Sequence, residues 1–172
     1  VKARQYVHLG YQRLVSFEVP GGGFDWFGRP PAHRILTAYG LMEFEDMARV
    51  HDVDPQLIER TRDWLLAQRR PDGSWASEEH KLHEGRLNQV QAADLDYGAT
   101  AYIGWAVFAH GQTSVAAAPT LDYLLARSPE SIDDPYLLAV TVNAVAAMDR
   151  ENTRLADFVG RLEALKRTSP DG

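Results

Sequence analysis

Three features of the 172-residue sequence predict an all-α fold of helical hairpins in two layers, a partial α/α-toroid. The first is a repeat. Asp63-Trp64-Leu65-Leu66-Ala67 returns as Asp122-Tyr123-Leu124-Leu125-Ala126, and Thr37-Ala38-Tyr39, ahead of the first copy, returns as Thr100-Ala101-Tyr102 ahead of the second. Two phrases repeated in the same order imply a repeated helical hairpin, and Leu137 to Met148 followed by Leu155 to Leu165 reads as a third, degenerate copy. The second feature is the alternation of segments apolar all round with segments apolar on one face. The first kind must be covered on several sides and the second on one, so each hairpin places one helix in an inner layer and one in an outer layer. The third is that period-two alternation, the mark of a half-buried strand, occurs nowhere.

In chain order, a first helix is predicted from Lys2 to Val19, ending before Pro20-Gly21-Gly22-Gly23. That turn delivers Phe24-Asp25-Trp26-Phe27-Gly28, closed by Pro30-Pro31. Phe24, Trp26 and Phe27 are expected either to plug the end of the helix array or to form a ligand platform. A helix buried on more than one side follows from Ala32 to Val50. Asp54-Pro55 supplies an N-cap and a first-turn proline for a helix reaching Arg70. On it Leu57, Ile58, Thr61, Trp64, Leu65 and Gln68 share an inward face, while Glu59, Arg60, Arg62 and Asp63 face water. Pro71-Asp72-Gly73-Ser74-Trp75 ends the helix, with Gly73 free to take the positive φ and Trp75 folding back on the helix ends. Residues 76 to 93 are polar and aperiodic and read as a long surface loop, a length more often functional than filler. A second inner helix spans Asp94 to Ala109, an outer helix Pro119 to Arg127, a third inner helix runs from the Asp134-Pro135 cap to Met148, and an outer one from Leu155 to Lys166.

Composition excludes several classes of function. With 45% hydrophobic residues the chain can bury a sizeable core, and a net charge of −6 without a basic stretch argues against nucleic acid as a partner. Apolar runs of about a dozen residues fall short of the roughly 18 to 20 that cross a bilayer, so no membrane contact is expected of this segment. The absence of cysteine removes disulfides, thiolate metal sites and a cysteine nucleophile. Val1 is not an initiator methionine and the first helix is already under way at Lys2, so residues 1–172 are expected to be part of a larger domain. The ends of such an arc would leave apolar side chains uncovered, above all Leu137, Leu138, Val140, Val142 and Val145, and self-association is expected from them.

Three families share this architecture. Asp94-Leu95-Asp96-Tyr97-Gly98-Ala99-Thr100-Ala101 resembles the acid motif of class II terpene cyclases, but with two extra residues and no adjacent second acid. Prenyltransferase β subunits need a zinc-bound cysteine that is absent here. Leu9-Gly10-Tyr11-Gln12-Arg13-Leu14, the Phe24 to Gly28 loop, Leu36-Thr37-Ala38-Tyr39-Gly40-Leu41-Met42-Glu43-Phe44, Trp64-Leu65 with Pro71-Asp72-Gly73-Ser74-Trp75, and Thr100-Ala101-Tyr102 together resemble the thioester-containing domain of alpha-2-macroglobulin and complement proteins, particularly their bacterial relatives. The resemblance covers roughly residues 3 to 165. It implies a secreted or periplasmic protein that traps proteases or other target proteins covalently, in contact with neighbouring domains of its parent, with no turnover and no cofactor. In that family a Cys-x-Glu-Gln motif forms the thioester. Neither Cys nor a Glu-Gln pair occurs in this chain, and the family's spacing would put the motif ahead of Val1; a degenerate paralogue without a thioester would read the same way.

In complement-type members a loop histidine attacks the thioester. By distance to Thr100-Ala101-Tyr102, His83 matches it, with His80 as the alternative register. Either could instead be an ordinary solvated loop residue. His80-x-x-His83-Glu84 comes near a metal-ligand spacing without being the His-Glu-x-x-His motif. Asp94 and Asp96 would be the acid and base of a cyclase-like enzyme or, on the simpler reading, caps at a helix N-terminus. A terpene-cyclase-like enzyme and a plain helical interaction module therefore stand as the alternatives to the trap.

Overall fold

The computed structural model of the protein describes residues 2–78, 92–110 and 114–166. Its fold class is all-α, and among the described residues the only extended pairing is an isolated bridge between Glu18 and Phe24. The chain divides into two compact units, Val1–Arg69 and Arg70–Gly172.

The first unit holds α1 (Lys2–Val15), α2 (Arg34–Met47) and α3 (Pro55–Ala67). Helix α1 stops short of the expected Val19 because residues 16–19 are drawn into the glycine-aromatic loop. The amides of Phe17 and Glu18 tighten onto Leu14 and Val15, both at 3.0 Å, and the Val19 amide crosses to the Gly23 carbonyl at 2.7 Å. No residue of α1 is fully buried. Tyr11, Leu14 and Val15 lay it against a cluster of Phe24, Phe44, Val53 and Leu57, and His8 meets His51 edge-on at 5.6 Å. Helix α2 starts at Arg34, two residues later than expected, since His33 is its N-cap and accepts the Leu36 amide through Nδ1 at 3.3 Å. Asp54 caps α3 as expected, accepting the Gln56 amide at 3.0 Å, with Pro55 in the first turn.

Two expectations for α3 need correction. Gln68 is exposed, and Arg60 and Arg62 do not simply face water. Arg60 grips Glu18 through two contacts of 2.6 and 2.9 Å, and Arg62 pairs with the buried Glu45 of α2. Long cationic side chains can lay their stems along a packed flank and still reach a carboxylate beyond it, which helical periodicity does not reveal.

The second unit contains α4 (Ala92–Phe108), α5 (Ser114–Leu125), a 3-10 turn (Pro129–Ser131), α6 (Pro135–Met148) and α7 (Leu155–Ala164). Helices α4 and α6 pack most extensively on each other, α5 lies against both, and α7 covers α6. No residue from Leu95 to Phe108 is exposed, which is the inner-helix character expected of α4. Asp134 caps α6 by accepting the Tyr136 amide at 2.9 Å. Helix α5 begins at Ser114 rather than Pro119, so the proline sits inside the helix instead of opening it. The expected apolar edge is also absent. Leu137, Leu138, Val140 and Val145 are buried and Val142 is half-buried, because α4, α5 and α7 close around α6. The large exposed apolar side chains fall mainly in the first unit, at Tyr6, Leu9, Trp26, Phe27, Tyr39 and Val50.

Candidate functional site

The repeated Thr-Ala-Tyr phrase proves to be a backbone clasp. In the first unit the Thr37 hydroxyl donates to the His33 carbonyl one turn earlier at 2.7 Å, which leaves its oxygen to accept the Phe24 amide at 2.8 Å. In the second unit Thr100 does the same, donating to the Asp96 carbonyl at 2.7 Å and accepting the Trp75 amide at 2.9 Å. Each threonine thus pins the aromatic residue of the preceding glycine loop, and both aromatics are buried, Phe24 to 4% exposure and Trp75 to 0%. A buried amide deprived of its acceptor costs about 1 to 3 kcal/mol. Thr37→Val and Thr100→Val, which keep the shape and remove the hydroxyl, are each expected to lower stability by that amount in urea unfolding.

The loop ahead of the first clasp is only partly a plug. Phe24 is in the core against Phe44, with ring centroids 5.3 Å apart, but Trp26 is 49% and Phe27 82% exposed. The reason is the Asp25 carboxylate. It accepts the amides of Phe27 at 2.9 Å and Arg29 at 3.3 Å, winding the loop so that the two later aromatics turn outward. Those amides, Phe27 first, hold the Asp25 carboxyl below its ordinary pKa.

The second clasp is more elaborate. Gly73 takes φ +87°, and its carbonyl accepts the Thr120 hydroxyl at 2.7 Å. Asp72 accepts both the amide and the hydroxyl of Ser74, at 3.0 and 2.7 Å. Beyond Trp75 the chain is caught once more. Asp96 accepts the Ser77 amide at 2.7 Å through Oδ1 and the Arg70 guanidinium at 2.8 Å through Oδ2. Burial alone would raise the Asp96 carboxyl pKa, but the Ser77 amide and Arg70 outweigh it and hold the group below its ordinary value, so it stays ionised.

These positions decide several sequence-based expectations. Asp96 is not a helix cap, since α4 begins four residues earlier at Ala92; nor does an ionised carboxylate gripped from two sides suit the proton-donating acid of a cyclase. The side chain of Asp94 lies outside the described residues, as do His80, His83 and Glu84. Among the described residues no group of three His, Asp or Glu side chains gathers as a metal ion would require. Sequence reasoning missed Arg70 and Ser77 as partners of Asp96; an acid one helical turn before the clasp threonine was the available signal.

A family profile described as the A-macroglobulin TED domain matches residues 1–171. Among curated proteins the chain is similar to complement C3 of Oncorhynchus mykiss, with 24% identity over 159 residues that cover 87% of this chain. The chain spans only 10% of that relative's length. With the profile running almost from end to end of an all-helical chain, the protein belongs to the A-macroglobulin TED family, the thioester-containing domains of macroglobulin and complement proteins.

Proposed function

We propose that this chain is the acyl-transfer part of a thioester-containing domain in a macroglobulin-like defence protein, which acts outside the cytoplasm and captures proteases or other target proteins covalently. The observation that carries the reading is the family match over residues 1–171, within which His80 and His83 follow the Pro71 to Trp75 clasp. On this reading the thioester is supplied by a Cys-x-Glu-Gln segment of a longer parent chain, since residues 1–172 contain no cysteine. The domain acts once and does not turn over.

The chemistry assigned to His83, or to His80 in the other register, runs as follows. A neutral imidazole nitrogen attacks the thioester carbonyl carbon; the C–S bond breaks and its electron pair leaves on sulfur as thiolate. The thiolate then takes the proton of an acceptor hydroxyl as that oxygen attacks the acyl-imidazolium. The C–N bond breaks, the imidazole is restored, and an ester and a thiol remain. An amine is nucleophilic enough to attack the thioester directly, so it does not need the imidazole step.

Intact mass after methylamine treatment tests the reading. The parent is expected to gain one methylamine and the present chain none; a parent that gains none would overturn the proposal. In that parent His83→Ala is expected to reduce ester formation with glycerol by about 10²-fold or more, in the range of positioned acid-base groups, and to leave methylamine uptake within about twofold. A loss confined to His80→Ala would move the role to that residue, and equal losses with both acceptors would remove the histidine step.

A further inference from the structure

We infer that the first unit carries a binding site for a phosphate ester of a hydroxylated molecule, such as a sugar phosphate, in the cleft between α1 and the turn that follows α2. Nothing in this binding depends on the acyl-transfer step proposed above. The cleft has a volume of about 820 Å³, within the roughly 300 to 1,000 Å³ of small-molecule sites. One wall is the face of α1 that carries Arg4, Val7 and His8, and the other is the turn from Arg49 to Asp52. A spacing of four residues puts Arg4 and His8 on the same side of their helix.

The two imidazoles are set in place before any ligand arrives. The amides of Val50 and His51 turn back onto the Met47 carbonyl, at 2.9 and 2.8 Å, which fixes the course of the turn. The His51 ring meets His8 edge-on at 5.6 Å and Tyr11 at 5.5 Å, and the Tyr11 hydroxyl accepts the Asp54 amide at 3.2 Å. Groups held in this way lose little freedom on binding. The guanidiniums, by contrast, are available. Among the described residues no carboxylate pairs with Arg4, and Arg49 meets Asp46 only in a pair whose side chains are 65% and 67% exposed, a weak tie.

The chemistry of the walls selects the ligand. Two guanidiniums and two imidazoles supply N–H donors from two separate segments, which suits the outward oxygens of a tetrahedral phosphate better than the two coplanar oxygens of a carboxylate. The same guanidiniums repel a metal ion that a pair of imidazoles alone could attract. Val7 and the exposed Val50 give apolar surface to the body of the ligand, while Asp52 accepts from a hydroxyl and repels a second anionic group. The dipole of α2 favours a cation at position 49 or 51, but it accounts for neither Arg4 nor His8, which belong to another helix. Lys and Arg equal Asp and Glu in number over residues 1–69, so the acidic surplus of the chain falls in residues 70–172.

The test follows the imidazole NMR signals of the present chain during titration with glucose 6-phosphate, inorganic phosphate or glucose at constant ionic strength. Glucose 6-phosphate is expected to shift His8 and His51 saturably and glucose to shift neither, with inorganic phosphate binding about tenfold more weakly because it leaves Val7, Val50 and Asp52 without a contact. Arg4→Gln and Arg49→Gln, both at exposed side chains, are each expected to weaken glucose 6-phosphate about tenfold, the loss of a charge-assisted hydrogen bond. Arg29→Gln, at an exposed arginine of the same unit that does not line the cleft, should leave the affinity within about twofold. The absence of a saturable shift at His8 and His51 by about 10 mM glucose 6-phosphate overturns the site, as does an equal loss with Arg29→Gln. Equal affinity for glucose 6-phosphate and inorganic phosphate overturns the assignment of an ester.

Discussion

Replacing Gly73 by alanine is expected to destabilise the second unit by about 3 to 5 kcal/mol, the sum of left-handed strain and overpacking at a single position. Gly73 has φ +87°, and a Cβ there would lie 2.1 Å from the Pro119 carbonyl oxygen and 2.6 Å from the Thr120 nitrogen. Both are backbone atoms, so neither can rotate aside. To make room, α5 would have to move off the Asp72 turn, breaking the 2.7 Å bond from Thr120 to the Gly73 carbonyl. Since whole domains are stable by only about 5 to 15 kcal/mol, urea unfolding should show a large fall in midpoint or no folded baseline. Gly10→Ala is the control. Gly10 is inside α1 with nothing within 4 Å of its added Cβ, and alanine there is expected to stabilise by about 0.5 to 1 kcal/mol. A Gly73→Ala loss below about 1 kcal/mol would mean that α5 yields easily at Pro119.

Trp75→Ala is expected to cost a similar amount, about 3 to 5 kcal/mol, as measured by urea unfolding. Trp75 is 0% exposed and heads the fully buried side chains by volume, so its removal leaves the largest void any single truncation could open among them. Its backbone tie is a separate matter, because Thr100 holds the amide whatever side chain is attached. Trp75→Phe, which refills most of the space, should therefore recover more than half of the loss. Equal destabilisation by Phe and Ala would show that contacts of the indole itself, rather than volume, hold the turn.

Much of the fold was legible in particular residues. Asp54-Pro55 and Asp134-Pro135 marked two helix starts correctly, because an N-cap carboxylate followed by proline acts within one turn and needs nothing from elsewhere. The apolar run through Ala99, Ala101, Ile103, Trp105, Val107 and Phe108 announced an inner helix, and no residue from Leu95 to Phe108 is exposed, although Trp105 is only half-buried. The exit of α1 and the start of α5 were not legible. The first is decided by the Val19 to Gly23 bond, and the second lies where proline reads equally well as a helix opener. For the candidate site, the sequence pointed to the histidine loop and to the repeated threonine phrase but assigned neither a contact. It also assigned Asp96 to capping, because a carboxylate near a helix start is most often a cap.

By itself the sequence determined the class of fold, the alternation of covered and half-covered helices, and the repeat that ties Thr37 to Thr100. These depend on spacing along the chain, and the 3.6-residue period turns spacing directly into a face. Only the tertiary structure decided what each threonine holds, that Asp96 joins Arg70 to Ser77 across gaps of 26 and 19 residues, and that Arg62 meets Glu45 from a flank expected to be wet. Periodicity states which way a side chain points and is silent on what waits there. A loop's path is set by amides in search of acceptors once they are buried, and for Phe24, Trp75 and Ser77 those acceptors are supplied by helices formed from residues well downstream.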